Sequence, residues 1–297
     1  MHIFFTGATG LIGKHLTPFL LHHHKVTVLS RNKTKAHVLL GHNIDVVSSV
    51  DEVNFNHVDT VINLAGEPII NKRWTQAQKQ TIKNSRINLT TQISDAILNC
   101  STPPATFISG SAIGYYGRQG VTPVDEDTDD VNDEFSHQLC KEWEHAALKA
   151  QSDKTRVCLL RTGIVLSKNG GALSKMLPAF KFFAGGPIGD GEQGMSWIHI
   201  DDMIQLILFI IKHTSLCGPI NATAPTPVSN KVFSKSLGKA LSRPAALTMP
   251  SPVLKVLMGE MSDLLTTGQY VIPKKALAHN YRFHFTDIDS ALRSLIK

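Results

Sequence analysis

The chain has 297 residues, 42% hydrophobic and 18% charged. That length and composition suit one large α/β domain with a smaller lobe, and they exclude global disorder. Thirty Lys+Arg against 24 Asp+Glu leave a net charge of +6, with no basic run and with acids clustered between 125 and 134, so no nucleic-acid partner is expected. Cys100, Cys140, Cys158 and Cys217 stand far apart without a C-x-x-C pair, which argues against both a disulfide framework and a structural zinc site. The start MHIFFTGATG lacks the basic front and long apolar core of a signal peptide, and the longest apolar stretch, 203–211, is too short to span a bilayer. The expectation is a soluble, cytoplasmic protein with no membrane partner.

In chain order, short apolar runs at 3–6, 26–29, 60–64, 106–109 and 157–160 read as buried strands. Between them, apolar residues recur three and four apart over 11–21, 75–98 and 135–150, the spacing of amphipathic helices. The alternation predicts an α/β, Rossmann-like doubly wound parallel sheet with helices on both faces. The outer face of the helix over 75–98 is a candidate for pairing in a homodimer. His22, His23 and His24 end the first helix; neighbouring histidines point apart there and suit the helix dipole better than a metal. After about residue 167, glycine and proline crowd into KNGG (168–171), AGGPIGDGEQG (184–194) and APTP (224–227). A helix over 201–212 and a strand over 219–222 return to the first lobe, and 228–297 reads as mostly helical. The expected organisation is a dinucleotide-binding domain over 1–167, returning around 195–223. A smaller substrate lobe takes 168–194 and 224–297.

The strongest chemical signal is Gly7-Ala8-Thr9-Gly10-Leu11-Ile12-Gly13, between the first strand and the first helix. In this G-x-x-G-x-x-G spacing, Gly7 takes a tight turn, Gly10 admits a pyrophosphate to the backbone, and Gly13 lets helix and strand approach. Free N–H groups at the helix start then favour the anion. Gly7, Thr9, Gly10, Leu11, Ile12 and Gly13 are therefore expected cofactor contacts. The second strand ends in Leu29-Ser30-Arg31-Asn32-Lys33 with no carboxylate. An acid there would bind a ribose 2′-hydroxyl, whereas the guanidinium of Arg31, aided by Ser30, suits a 2′-phosphate; the cofactor expected is NADP(H).

These residues resemble the extended, epimerase-like branch of the short-chain dehydrogenase/reductases. GATGLIG matches its fingerprint, and Asn63-Leu64-Ala65-Gly66 resembles its motif beside the adenine and ribose of the cofactor. More narrowly, NLAGEP (63–68), Lys72-Arg73-Trp74, Ser85-Arg86, LLRTG (159–163), GGPIG (185–189) and WIHIDDM (197–203) resemble the atypical epimerase family proteins that carry an extra C-terminal domain of unknown function. The resemblance implies a cofactor lobe, with Leu64, Ala65, Gly66 and Arg86 near the dinucleotide, and a small-molecule substrate held under a second lobe. It also implies a catalytic Ser or Thr after the fifth strand, matched here by Ser111, and a Tyr-x-x-x-Lys pair on the next helix. That helix reads FSHQLCKEWE (135–144) and has no tyrosine. One register gives His137-x-x-x-Lys141 and the other Ser136-x-x-x-Cys140. Ser111, Tyr115 and Lys141 are the catalytic candidates: Lys141 for the ribose, Tyr115 (beside Tyr116) as a substitute phenol. His137 is a weaker one. In the second lobe, GGPIGDGEQG reads as a mobile substrate loop, Asp190 and Glu192 as solvated turn residues, and Asp201 as a helix N-cap. The expected function is an NADP(H)-dependent oxidoreductase or epimerase-like enzyme, with a cofactor-reading sensor or scaffold as the alternative.

Overall fold

The computed structural model describes residues 1–296. Seven strands form one parallel sheet: β1 (His2–Thr6), β2 (Lys25–Leu29), β3 (Asp45–Val47), β4 (Thr60–Asn63), β5 (Thr106–Ala112), β6 (Arg156–Thr162) and β7 (Gly218–Ala222). Their order across the sheet is β7-β6-β5-β4-β1-β2-β3. The order reverses between β1 and β4, and at such a switch point the strand ends open a crevice able to take a ligand. Pairing is in register from Ile3 opposite Val26 and Thr60 to Ala112 opposite Thr162.

Helices cover both faces because the inner strands are apolar on both. Helices α1 (Leu11–Leu21) and α2 (Lys33–Leu40) flank one face. Helices α3 (Gln76–Leu98) and α4 (Phe135–Leu148) cover the other, where Ile93, Ile97 and Ala147 pack on Phe4, Val61, Phe107 and Val157. Thr75 caps α3, its hydroxyl accepting from the Gln78 N–H at 3.2 Å. The outward face of α3 presents Gln80, Thr81, Asn84 and Asn88, so a dimer bundle there would be polar.

The chain then builds a second lobe. Helix α5 (Gly171–Lys181) leads to α6 (Ile200–Lys212), which returns to the sheet and packs Met203, Ile204 and Ile207 against Leu16 and Leu20 of α1. Helices α7 (Asn230–Leu241) and α8 (Ser251–Met258) follow. The lobe's own core joins Leu173, Leu177 and Phe180 of α5, Trp197, Phe233 and Leu237, and Ala291 and Leu292 of the last helix, Ile288–Ile296.

Two expectations are corrected here. The N-cap of α6 is His199, whose ring accepts from the Asp201 N–H at 3.1 Å; Asp201 points into solvent within the first turn. Its neighbour Asp202 is the buried one. It accepts from the backbone N–H of His284 at 2.7 Å and of Phe285 at 2.8 Å, while its carbonyl accepts from the Tyr281 hydroxyl at 2.9 Å. The glycines of 184–194 also serve packing, where a free loop was expected. A Cβ on Gly186 would lie 2.3 Å from the Leu247 carbonyl oxygen, and the loop bonds to Met249, Asn230 and Lys231 along its length.

Candidate functional site

The turn after β1 leaves a cradle at the crevice. Gly7 has φ +80°, and a Cβ there would lie 2.5 Å from the carbonyl carbon of Leu64, so this turn presses directly on the loop after β4. At Gly13 a Cβ would lie 2.3 Å from the Ala8 carbonyl oxygen, which is how α1 comes so close to the turn. Gly10 differs from both. It is exposed, it is the N-cap of α1 with no side chain bonded to the first turn, and a Cβ there would meet only the Gly7 oxygen, at 3.1 Å. The first N–H groups of α1 thus face open space, a fit for an anion. Thr9, Leu11 and Ile12 are half-buried around it, and a Cβ on Gly170 or Gly171 of the second lobe would lie 3.0 Å from a Leu11 methyl.

At the end of β2, the Ser30 hydroxyl donates to the Asn32 carbonyl at 3.0 Å, and Asn32 caps α2 by accepting from the Lys35 N–H at 2.8 Å. Lys33 pairs with Glu52 at 3.5 Å. Arg31 is exposed and enters no ion pair among the described residues.

Below the crevice, buried bonds lock four elements together. Thr6 donates to Asn63 Oδ1 at 2.6 Å, Asn63 Nδ2 donates to Thr90 at 2.8 Å, and Trp143 Nε1 donates to the same hydroxyl at 3.0 Å. Asn63 therefore fixes where Leu64, Ala65 and the exposed Gly66 run. Arg86, half-buried on α3, turns its guanidinium toward Gly66 and across the Trp143 ring, 5.2 Å from its centroid.

Ser111, at the end of β5, belongs to a polar chain that the sequence did not reveal. Its hydroxyl donates to Glu144 Oε1 at 2.6 Å. Glu144 also receives Arg161 Nε at 2.8 Å and Nη2 at 2.9 Å, and both residues are buried. Arg161 Nη1 donates to the Tyr116 hydroxyl at 3.1 Å, which donates to Asn221 Oδ1 at 2.8 Å. Burial pushes the Tyr116 phenol up to about 12 despite the adjoining Arg161. The Asn221 N–H in turn donates to Glu126 at 2.9 Å. The only sequence signal for this chain is a charged residue, Arg161, within the buried strand VCLLRT.

Helix α4 settles its own register. Leu139, Cys140, Trp143 and Glu144 are buried, so Ser136 and Cys140 occupy the inward face with Gly114 against both. Lys141 does not join them. It is exposed and lines an outer groove with Ile87, Thr91 and His145, because one residue further along a helix turns a side chain about 100° away. His137 is buried with its ring bonded to the Tyr115 carbonyl, a structural role. Cys140 is a thiol pushed up to about 12, first by burial and then by the nearby Glu144. Tyr115 lies half-buried with its ring over Arg161, 3.4 Å from guanidinium carbon to centroid, and its hydroxyl has no partner among the described residues.

Compared with known proteins, residues 3–221 match the model of the NAD dependent epimerase/dehydratase family. The chain belongs to this family. Residues 249–295 match a second model, a domain of unknown function. Among curated relatives, this family member is 39% identical to the epimerase family protein SDR39U1 homolog, chloroplastic, of Arabidopsis thaliana, covering 100% of this chain and 87% of that one. It is 37% identical to the epimerase family protein YfhF of Bacillus subtilis, covering 100% and 98%. Among solved structures, it is similar to the human epimerase family protein SDR39U1 with NADPH at a TM-score of 0.91 and 32% identity, covering 100% of this chain and 99% of that one. Among the described residues no helix is long and apolar enough to cross a membrane.

Proposed function

We propose that this chain binds NADP(H) and uses it in an oxidoreductase or epimerase-like reaction on a small molecule. One observation carries the reading: the bare N-terminus of α1 at Gly10 with Arg31, unpaired among the described residues, at the end of the neighbouring strand. In this reading the pyrophosphate of the dinucleotide rests on the N–H groups around Gly7, Thr9, Gly10, Leu11, Ile12 and Gly13. Arg31, beside Ser30, takes the 2′-phosphate, and Leu64, Ala65 and Gly66 pass along the ribose. The NADPH in the human structure supports the same cofactor here. When bound, the nicotinamide supplies or accepts a hydride.

The chain's own groups then handle the proton. Tyr115 is the phenol free to give one to, or take one from, a substrate oxygen; Tyr116 is committed to Asn221. Lys141 has no part, since it lies on the outer face of α4. Arg31→Asp tests the cofactor assignment: NADPH affinity should fall by about a hundredfold, ~2.7 kcal/mol, with little change for NADH. Equal losses for both would refute it.

A second reading is a sensor or scaffold that answers to cofactor state. The commitment of the Ser111 proton to Glu144 favours it, as does the pair Ser136 and Cys140 facing inward from α4. NADPH consumption across a panel of carbonyl and sugar-nucleotide substrates separates the two, since only the enzyme reading predicts turnover.

A further inference from the structure

The junction between the first lobe and the C-terminal stretch carries a histidine that no part of the proposed chemistry uses. His199 is 2% exposed and stands at the start of α6. Its Nδ1 accepts from the Asp201 N–H at 3.1 Å, so that nitrogen carries no proton. Its Nε2 lies 3.1 Å from the Ser294 hydroxyl of the last helix. That hydroxyl donates its own proton to the Ala291 carbonyl at 2.7 Å, and therefore accepts from Nε2–H. The ring is a neutral imidazole of one tautomer. It lies on Phe285, with centroids 3.9 Å apart and planes 31° from parallel. One side chain thus caps a core helix of the first lobe and holds two elements of the C-terminal region.

A second proton would turn Nδ1 into a donor facing the Asp201 N–H, and would put a positive charge at the positive end of the α6 dipole. The surrounding groups offset little of this. Asp201 has Oδ2 3.6 Å from Nδ1, but its side chain is 68% exposed and water screens it. His284, whose ring packs edge-on against Phe285, opposes a further positive charge nearby. The last helix presents only the neutral Ser294 to the ring among the described residues. Asp202 is engaged by the amides of His284 and Phe285. Burial, the largest influence, holds the folded imidazole below its ordinary 6.5, and Asp201 only partly counters it.

We propose that His199 is an acid-responsive latch: on taking up a proton it releases the cap of α6 and loosens the last helix and the Phe285 segment from the first lobe. The opened chain, whose imidazole has its ordinary value, binds the proton first. The latch is therefore fully closed above about pH 6.5 and weakens as pH falls, until the lowered value of the closed form is passed. Asp202 works in the opposite sense, because burial raises its carboxyl and the closed form takes up that proton more readily.

The test uses the full chain and reads amide hydrogen exchange at Leu292 and Leu295, corrected for the intrinsic effect of pH on exchange, beside ¹⁵N-histidine spectra. Between about pH 7.5 and about pH 5.5, wild-type protection should fall about tenfold, the factor for a closed form that resists protonation one unit below the ordinary value. His199→Asn keeps a side-chain oxygen at the cap but cannot titrate, and its protection should change by less than about twofold. It also leaves Asp202 in place, so a trend common to both proteins belongs to that carboxyl. Equal declines in the two proteins overturn the latch, and so does flat protection in the wild type. Should His199→Asn fail to fold, the wild-type spectrum decides. A ring in contact with Phe285, protonated at Nε2 alone near neutral pH and titrating together with the loss of protection, supports the latch. A ring protonated at Nδ1 near neutral pH, or one that titrates while the last helix stays protected, refutes it.

Discussion

Two glycines of one turn, Gly10 and Gly13, are expected to fail in different ways when replaced. At Gly10 the backbone has φ −76° and ψ −178°, open to any residue, and a Cβ would meet a single atom at 3.1 Å. Losing glycine at an N-cap costs about 0.5–1 kcal/mol, so Gly10→Val should fold and melt within a few degrees of wild type. The added side chain nevertheless fills the space in front of the α1 N–H groups. NADPH affinity should therefore drop at least a hundredfold, roughly 2.7 kcal/mol. Gly13→Ala is the contrast. Its Cβ would stand 2.3 to 2.5 Å from three backbone atoms of Ala8, and backbone cannot rotate out of the way. Separating helix from strand costs about 1–3 kcal/mol or more, which appears as lost stability before any binding is measured. Thermal melts paired with NADPH fluorescence titrations read both quantities. A folded Gly10→Val that binds NADPH like wild type refutes the cradle, and a Gly10→Val that melts as low as Gly13→Ala refutes the distinction between them.

Other consequences follow from the buried polar chain. Tyr116 ionises near 10 when unfolded and near 12 when folded, so only the unfolded chain releases this proton between those values. Its contribution is complete below pH 10 and lost as pH rises through 12, about 2–3 kcal/mol in all. Denaturant melts of Tyr116→Phe should show a flatter decline over that window than wild type; an unchanged slope contradicts the assignment. Glu144→Ala leaves Arg161 buried without its carboxylate and should destabilise by about 3–5 kcal/mol, measured by urea unfolding, whereas an exposed pair such as Lys33–Glu52 should give under about 1 kcal/mol.

Much of this was legible in the sequence because it depends on local pattern. The sheet strands at 3–6 and 26–29 and the helix over 11–21 follow from apolar period and glycine spacing, and β1, β2 and α1 form there. The edge strand Asp45–Val47 is not legible, since three residues with no fully buried side chain carry almost no periodic signal. Helix α4 was ambiguous for a geometric reason. H-x-x-x-K and S-x-x-x-C are one residue apart, and only the burial of Leu139, Cys140 and Trp143 against the sheet chooses between them. The partners of Ser111 lie 33 and 50 positions further on, brought close by strand pairing and by α4 crossing the sheet, which no local window contains. The glycines of 184–194 are ambiguous in the sequence because room for a neighbouring backbone and freedom to move leave the same trace there.

The carboxylate of Asp202 has a bearing on how the molecule comes into being. It is enclosed within α6, which is part of the core of the first lobe, yet among the described residues both of its oxygens are satisfied only by the amides of His284 and Phe285. During synthesis the sheet through β7 can be complete while this acid still waits for its partners some eighty residues away. Until the ribosome has released that stretch, α6 carries an uncompensated charge into an apolar interface. The first lobe is thus expected to mature late, and a chain cut between the two regions that match family models would leave it permanently unfinished.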